Sequence, residues 1–511
     1  MASIDVFREY KPFRNQTALL EREESLGVIW AYCQYLQINQ FKMPNDIEVL
    51  RAFIDLKPKQ QWISEWQLEI LAKEVILNSG AKGAKGLTLR KWSTLAEYIN
   101  SLKKFEDKIS AAFGSSQNIL IELIRIAHQQ FIWQGSPPNS TTSMRYFKIF
   151  NQVKIDAICV DRFGLTVQDI YLCGIGFLSI FLVHPATSIP FKSEIPSLPV
   201  EKLEKFLPFA CRTLSEMKSI LKSEQQYNES YAYAYSSLRA FPLIRMDYGG
   251  VDSIVCPLPT LLFWKITGGL YYELLGDPRF SQPFGDSFQR YVGDVVGRAC
   301  PNTGVSLFPE EEYGPKKTRR RTVDWIVAEV GSAIFLECKA KRLSWGAKTS
   351  LNDLSALEGD IDSMATAVVQ VYKTIVDYLD NQYPQYPFQA DRNIYPTVVT
   401  LESWRMFGPA MLDRLSASVT EKIQAAEIPI SWLTDMPYSV IAVEDLEAGM
   451  QIINSVGIRD FFDGKVRDAE MRGWDWHGYM THQYSKYFPL KKLFDAEYDR
   501  LFEAFGVTIG Q

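Results

Sequence analysis

The stretch TVDWIVAEVGSAIFLECKA, residues 322–340, decides how the second half of this chain folds. Two short runs rich in valine, isoleucine and aromatic residues flank a V-G-S break, and this pattern is typical of a β-hairpin. If Gly331 and Ser332 form the loop, counting back along both strands places Asp324 opposite Lys339.

The same register pairs Ile326 with Glu337. Residues that lie opposite each other share a face of a sheet, and so do residues two apart on one strand. We therefore predict that Asp324, Glu337 and Lys339 project from one side of the sheet. Two carboxylates and an ammonium group at the end of apolar strands can hold a divalent cation beside a proton-transfer group.

An E-x-K triplet on its own carries little information, and this chain contains others. Glu106–Lys108 and Glu216–Lys218 fall in predicted helices, where residues two apart do not face each other. Asp463–Lys465 lacks an apolar run before it. Only Glu337–Lys339 ends a predicted strand and has an upstream acid at hairpin distance. The simpler alternative is an exposed strand end with a cross-strand ion pair between Asp324 and Lys339.

The chemistry of such a site requires these residue types. Mg²⁺ prefers oxygen ligands and is usually bound through one or two carboxylates together with waters. Asp324 and Glu337 would supply them, with the main-chain carbonyl of Cys338 as a third donor and Mn²⁺ as a substitute metal. Lys339 would orient the attacking water or stabilise developing negative charge.

With these residues in place, the chain resembles the PD-(D/E)xK nuclease superfamily, whose fold is restriction-endonuclease-like. The resemblance rests on Val323-Asp324 and on Phe335–Lys339, and it covers roughly residues 260–410. It implies an α/β core with a mixed sheet flanked by helices, and Mg²⁺-dependent hydrolysis of phosphodiester bonds, with DNA as the favoured substrate and RNA left open.

The long amphipathic helix predicted at Asp353–Leu379 adds two candidates. Families of this kind often carry a glutamine or a basic residue there, near the phosphate, and this implies site roles for Gln370 and Lys373. The alternative is an ordinary polar helix face.

The helix predicted at Phe284–Ala299 resembles the first core helix of the superfamily, which often contributes a glutamate to the metal site. The matching position here is Gln289, which departs from that pattern. Asp286, one helical turn earlier, is the alternative acid.

A basic cluster surrounds the hairpin, although the whole chain carries a net charge of −5. A local reversal of charge of this kind suits a phosphate backbone. The alternative is a solvated loop that is balanced by the acids at 310–312. The predicted nucleic-acid contacts are Lys316, Lys317, Arg319, Arg320, Arg321, Lys341 and Arg342.

The length of 511 residues predicts two to four domains. The fold class that we expect is multi-domain, with a mostly α N-terminal half followed by an α/β restriction-endonuclease-like core. Residues 1–240 are expected to form a helical domain for recognition or partner binding. Residues 241–511 are expected to form the nuclease-like domain with a C-terminal α/β extension.

Other classes of protein find little support in the sequence. The seven cysteines are scattered and form no CxxC pair, which favours a reducing, cytoplasmic location. The most apolar stretch, residues 171–183, is shorter than the roughly 20 residues that cross a bilayer, so no membrane is expected. No P-loop and no G-x-S-x-G motif is present.

The leading hypothesis is therefore a metal-dependent endonuclease that acts on DNA, with prokaryotic restriction or anti-phage defence as its setting. The alternative is a non-catalytic scaffold with a degenerate nuclease fold that binds nucleic acid or protein. The sequence leaves the oligomeric state open, and a homo-oligomer is among the possibilities.

Overall fold

The chain forms two compact units in the computed structural model. The first comprises residues 1–280 and 494–511, and the second comprises residues 281–493. The boundary therefore lies between residues 280 and 281, rather than at the predicted 240/241. The structure describes residues 5–38, 40–49, 62–113, 119–133, 137, 139–193, 195–228, 230–231, 234–301, 304–344, 348, 355–404 and 408–503.

The first unit is mostly helical, as the sequence predicts. Its longest stretches of apolar periodicity become helices, and glycine, proline and serine breaks separate them. The helices are α1 (Val6–Thr17), α2 (Arg22–Gln37), α3 (Glu65–Asn78), α4 (Trp92–Phe113), α5 (Ile119–Gln130), α6 (Ser140–Phe150), α7 (Val153–Phe163), α8 (Val167–Phe181), α9 (Val200–Ala210), α10 (Leu214–Glu224), α11 (Pro259–Ile266) and α12 (Leu270–Leu274). A further helix near the end of the chain, Asp495–Glu503, belongs to the same unit.

A small mixed sheet completes the first unit. Its strands are β1 (Ala186–Ser188), β2 (Cys211–Thr213), β3 (Leu243–Tyr248) and β4 (Val251–Val255), and their order in the sheet is β1-β4-β3-β2. β3 and β4 form a hairpin whose loop residues, Gly249 and Gly250, both have positive φ angles, which glycine adopts without strain. β2 pairs with β3 in parallel, and the other pairs are antiparallel.

Helix α3 is buried on almost every side, and its charged residues are matched by partners within the first unit. The Arg239 guanidinium donates two hydrogen bonds of 2.8 Å to the Glu69 carboxylate. The Glu74 carboxylate accepts hydrogen bonds from the hydroxyl groups of Tyr10 and Tyr231, at 2.7 and 2.9 Å. Paired charges are the form in which a core tolerates ionised groups.

The apolar helix α8 is buried in the first unit. Among the described residues, no single helix is long and apolar enough to cross a membrane. One pair of helices, α7 and α8, passes the test of length and composition only when taken together, and the pair is bent by 64°.

The second unit is built around a five-stranded mixed sheet. Its strand order is β11-β10-β9-β8-β5, from β5 (Ser306–Pro309), β8 (Trp325–Glu329), β9 (Ser332–Lys339), β10 (Asn393–Thr400) and β11 (Ser439–Ala442). β5, β8 and β9 pair antiparallel, whereas β9, β10 and β11 run parallel. A separate two-stranded ribbon, β6 (Glu312–Tyr313) with β7 (Arg320–Arg321), lies between β5 and β8 in the sequence.

Helices flank this sheet. They are α13 (Ser281–Ala299), α14 (Ser355–Leu379), α15 (Gly408–Ala425), α16 (Trp432–Asp435), α17 (Val443–Val456), α18 (Ile458–Val466) and α19 (Trp476–Gln483). The start predicted for α14, Asp353, lies outside the described residues. The predicted multi-domain organisation, with mixed sheets flanked by helices, is confirmed.

Helices α13 and α14 pack on opposite faces of this sheet. The Phe335 ring contacts the Tyr378 ring of α14, with 5.2 Å between centroids. On the other face, the indole of Trp325 packs on α13, where a Cβ added to Gly293 would lie 2.4 Å from a ring carbon. Glycine at this position therefore allows the close approach of helix and strand. Because side chains alternate along a strand, Glu337 and Lys339 share the α14 face with Phe335.

Candidate functional site

The β8–β9 hairpin forms, but its predicted register is wrong. Glu329 pairs with Ser332, so the two loop residues are Val330 and Gly331 rather than Gly331 and Ser332. Gly331 has φ +77°, and glycine is the residue that suits a positive φ at the second position of a turn. Ser332 is buried within the strand, whereas Val330 is 99% exposed.

This correction shifts the pairing by two residues and changes the partner of Asp324. Trp325 pairs with Leu336, so continuing the register by one residue places Asp324 opposite Glu337 and not opposite Lys339. A shift by an even number of residues leaves every side chain on its original face. Asp324, Glu337 and Lys339 therefore still lie on one side of the sheet.

Three hydrogen bonds hold the trio together. The Cys338 backbone N–H donates to Asp324 Oδ2 at 2.6 Å. Lys339 Nζ donates to Glu337 Oε1 at 2.8 Å and to Gln370 Oε1 at 3.3 Å. The structure thus brings Gln370 of α14, a candidate that came from the resemblance, into contact with Lys339.

Burial is unequal within the site. The side chain of Glu337 is 7% exposed, and that of Lys339 is 34% exposed. The ammonium group therefore stands between a buried carboxylate and solvent. A ligand that approaches from solvent would meet Lys339 and Gln370 before it reached the Glu337 carboxylate.

The electrostatics of the two carboxylates favour their protonated forms. Burial, followed by the charge of Glu337, raises the pKa of Asp324 to about 7. Burial also raises the pKa of Glu337, although the adjacent Lys339 ammonium opposes that change. Two neighbouring acids whose charged forms are both disfavoured would both gain from a cation between them.

A further acid that the sequence prediction left out, Glu310, lies beside the site. Pro309 pairs with Trp325, and the next contact is the hydrogen bond of 3.0 Å from the Thr322 backbone N–H to the Glu311 carbonyl oxygen. The two contacts are two residues apart along the first strand but three residues apart along the second. A single residue, Glu310, therefore faces two residues on the opposite strand. This is a β-bulge, a feature that re-aims side chains and occurs often beside active sites.

Asp324 is one of the two residues that face Glu310 across this bulge. The charge of Glu310 contributes to the raised pKa values of both Asp324 and Glu337. The sequence showed residues 310–312 only as acids that could balance the basic cluster. Pairing of Ser306–Pro309 with the hairpin would have revealed Glu310, but that short strand has no strong signal of its own.

The donors near Asp324 and Glu337 suit a hard cation. The N–H and C=O groups of one strand residue point to the same side, so the Cys338 carbonyl shares the side on which its N–H meets Asp324. Two carboxylates with a carbonyl are oxygen ligands of the kind that Mg²⁺ accepts. Within the described ranges, no group of three or more His, Cys, Asp or Glu side chains is arranged to hold a metal.

The two accessory candidates lie on α13, on the other face of the sheet. The Gln289 carbonyl oxygen accepts a hydrogen bond of 2.8 Å from Trp325 Nε1. Asp286 Oδ1 accepts one of 2.7 Å from the Gln282 side chain. In the part of the chain that the structure describes, no hydrogen bond or ion pair joins either side chain to the trio.

The densest basic cluster forms a two-stranded turn, residues 312–321, which we call the basic ribbon. The Glu312 carboxylate forms ion pairs with Arg319 at 2.9 Å and with Arg321 at 3.3 Å. Arg321 also lies 3.6 Å from the Glu310 carboxylate. These acids neutralise two of the predicted nucleic-acid contacts in part, as the alternative reading of the sequence anticipated.

The basic ribbon is fastened to α14 through one carboxylate. The Asp377 carboxylate accepts hydrogen bonds from Arg320 Nη1 at 2.5 Å and from the Tyr313 hydroxyl at 2.6 Å. Lys316 and Lys317 lie in the exposed turn of the basic ribbon. No contact between them and another described side chain is found.

The two basic residues that follow β9 differ in accessibility. Lys341 is 48% exposed and lies 3.1 Å from the buried Asp360 carboxylate. Arg342 is 3% exposed and lies 3.8 Å from Glu402, so its guanidinium is beneath the surface rather than on it. Lys373 of α14 is exposed, one helical turn from Gln370.

Comparisons with protein-family profiles, with curated proteins and with solved structures found no match to this chain.

Proposed function

We propose that the second unit is a metal-dependent nuclease whose centre is Asp324, Glu337 and Lys339. One observation carries the proposal: the buried Glu337 carboxylate lies opposite the half-buried Asp324 carboxylate on the neighbouring strand, with an ammonium group 2.8 Å from Glu337 Oε1. Strongly perturbed carboxyl groups beside a specific charge partner mark candidate functional sites.

Each residue has a role that follows from its contacts. Asp324 and Glu337, with the Cys338 carbonyl, would hold Mg²⁺ or Mn²⁺, which activates a water and neutralises phosphate charge when bound. Lys339 would orient that water or stabilise the negative charge that develops on the phosphate. Gln370 would fix the position of the Lys339 ammonium group through the 3.3 Å hydrogen bond.

The order of elements supports a restriction-endonuclease-like core. Helix α13 precedes the antiparallel strands β5, β8 and β9, and α14 then crosses over to the parallel strand β10. This order of helix, hairpin, helix and strand agrees with the α/β core that the resemblance implies. DNA is the substrate that the resemblance favours, with restriction or anti-phage defence as the setting and the first unit as a recognition or partner-binding domain.

A cleavage assay tests this proposal. The full chain is incubated with supercoiled plasmid, linear duplex and RNA, with Mg²⁺, Mn²⁺ or EDTA. We expect metal-dependent cleavage that Asp324→Asn, Glu337→Gln and Lys339→Met each abolish. Asp286→Asn, an acid on the opposite face of the sheet, is the matched control and should retain activity. Cleavage that persists in the Asp324 or Lys339 variant refutes this site.

A non-catalytic scaffold is the second candidate. It is favoured by one observation: Gln289 lies on the face opposite the trio, and its helix brings no acid into contact with the two carboxylates among the described residues. A scaffold would cleave none of the substrates, and calorimetry would detect no Mn²⁺ binding.

A further inference from the structure

The basic ribbon begins at the candidate site itself. It continues the paired strands β5 and β8 beyond the bulge at Glu310, and Asp324 is one of the two residues that face Glu310 in that bulge. Bulges bend a strand pair and increase its twist, so they can turn the ribbon away from the plane of the sheet. A polymer bound with one phosphate at Lys339 would pass beside this element.

The contacts of the basic ribbon divide its cations into two groups. Arg319, Arg320 and Arg321 are committed to Glu312, Asp377 and Glu310, and these ion pairs fix the ribbon to itself and to α14. The lysines in the turn have no such partner among the described residues. The arginines therefore stabilise the conformation of the ribbon, and the lysines remain available to a ligand.

Helix α14 connects the site to the place where the basic ribbon is anchored. Gln370, Lys373 and Asp377 are three and four residues apart, so they lie on one face of the helix. Gln370 contacts the site and Asp377 holds the ribbon, so Lys373 stands between the two. A rise of about 1.5 Å per residue separates Gln370 from Asp377 by roughly 10 Å along the helix.

The turn of the basic ribbon lies close to this anchor. Lys317 is three residues from Arg320, and Lys316 is three residues from Tyr313, so each is within about 10 Å of an anchoring residue even in a fully extended chain. Three lysines without ion pairs, Lys316, Lys317 and Lys373, are thus grouped around Asp377 within the part of the chain that is described.

We propose that these three lysines bind the backbone phosphates on one side of the phosphodiester bond that is cut. The inference rests on the proposed nuclease function. A strand of duplex DNA advances about 3.4 Å per nucleotide, so the roughly 10 Å between site and anchor corresponds to about three nucleotides. The ribbon would bind the charged backbone without distinguishing between bases, because phosphate contacts position a polymer without specifying its sequence.

Salt-dependent binding tests the lysines directly. A labelled duplex of about 30 base pairs is titrated in EDTA, where no cleavage occurs, at several salt concentrations. Each phosphate contact contributes about 0.9 to the slope of log K against log salt. We expect Lys316→Ala/Lys317→Ala/Lys373→Ala to lower the slope by roughly 2 to 3, and Lys492→Ala, an exposed lysine elsewhere in the second unit, to leave it unchanged. An unchanged slope in the triple variant overturns the proposal.

Substitution of Asp377, which holds the basic ribbon on α14, separates a positioning role from a general effect of charge. Asp377→Asn removes a negative charge, so uniform electrostatics predicts tighter binding to the duplex. If Asp377 holds the lysines in place, the same variant binds more weakly, and Tyr313→Phe, which changes no charge, binds more weakly too. Tighter binding by Asp377→Asn, in a variant whose circular dichroism matches the wild type, overturns the anchor.

Failure here is distinguishable from failure of the nuclease proposal. Cleavage by the wild type together with an unchanged slope in the triple variant would refute the lysine contacts and leave the catalytic site standing. A wild-type protein that neither cleaves nor binds the duplex would refute both.

Discussion

Replacing Asp324 by asparagine should stabilise the metal-free second unit at high pH. The carboxyl ionises near 3.8 in an unfolded chain, whereas burial and Glu337 raise its pKa to about 7 in the folded protein. The folded state therefore loses stability as the pH rises from about 4 to about 7, and this loss persists at higher pH. The asparagine side chain of the Asp324→Asn variant carries no charge and still offers an oxygen to the Cys338 N–H.

The expected size follows from the difference between the two pKa values. At about 1.4 kcal/mol per pKa unit, ionising the folded carboxyl costs about 4 kcal/mol at pH 8. At pH 5 the folded carboxyl is still protonated, and the cost of about 2 kcal/mol arises because only the unfolded chain has released its proton. Part of this cost belongs to Glu337, whose charge is one of its causes. We therefore expect the gain in Asp324→Asn to approach these values and to be larger at pH 8 than at pH 5.

The assay must report on the second unit alone, because the chain has two units. Urea titration in EDTA, followed by hydrogen-exchange mass spectrometry of peptides from β9, gives the free energy of unfolding of that region at each pH. Asp286→Asn is the control and should change stability by less than about 0.5 kcal/mol at both pH values. A variant that is no more stable than wild type at pH 8, or equally stabilised at pH 5 and 8, would refute the reasoning.

Three further predictions concern packing, metal and ion pairs. Gly293→Ala should cost about 1–3 kcal/mol of unfolding free energy, because the new Cβ would meet the Trp325 ring at 2.4 Å. Gly297→Ala in the same helix is the control and should not carry this cost, because its new Cβ would meet nothing within 4 Å. Equal denaturation midpoints for the two variants would contradict this packing. Mn²⁺ at about ten times its dissociation constant should stabilise the wild type by about 1.4 kcal/mol in a thermal melt and should leave the Glu337→Gln variant unchanged. An equal rise in melting temperature in both proteins would place the metal elsewhere. Arg239→Met should cost about 3–5 kcal/mol in urea denaturation, since it leaves the Glu69 charge buried without its partner. Arg245→Met, in an exposed pair with Asp252, should cost much less, and the opposite ranking would count against this account.

Alternation along the strands made the shared face of the trio predictable. The two strands were evident from their β-branched and aromatic residues, and an error of two positions in register leaves every side chain on its face. The cross-strand partners changed: Asp324 lies opposite Glu337 rather than Lys339, and Ile326 lies opposite Phe335 rather than Glu337. The position of the loop depended on Gly331, whose positive φ belongs at the second loop position.

Contacts between segments that are far apart in the chain could not be predicted from local sequence patterns. Asp377 lies 57 residues from Arg320 and 64 from Tyr313, and nothing in the periodicity of either segment links them. The bulge at Glu310 arises because one strand carries an extra residue, which becomes visible only once both strands are paired. The face on which Gln289 lies likewise depends on how Trp325 packs on α13.

The geometry of the trio argues against the purely structural alternative. An exposed strand end with a cross-strand ion pair would place Lys339 on Asp324, and it would leave the Asp324 carboxyl near its ordinary pKa. Instead the residue opposite Asp324 is a second acid, and the Lys339 ammonium bonds to Glu337 and Gln370. Two neighbouring carboxyl groups, one buried and one half-buried, whose pKa values are both raised oppose folding, so local stability alone does not account for them. Such conflicts with stability are expected at functional sites, where a ligand supplies the missing charge.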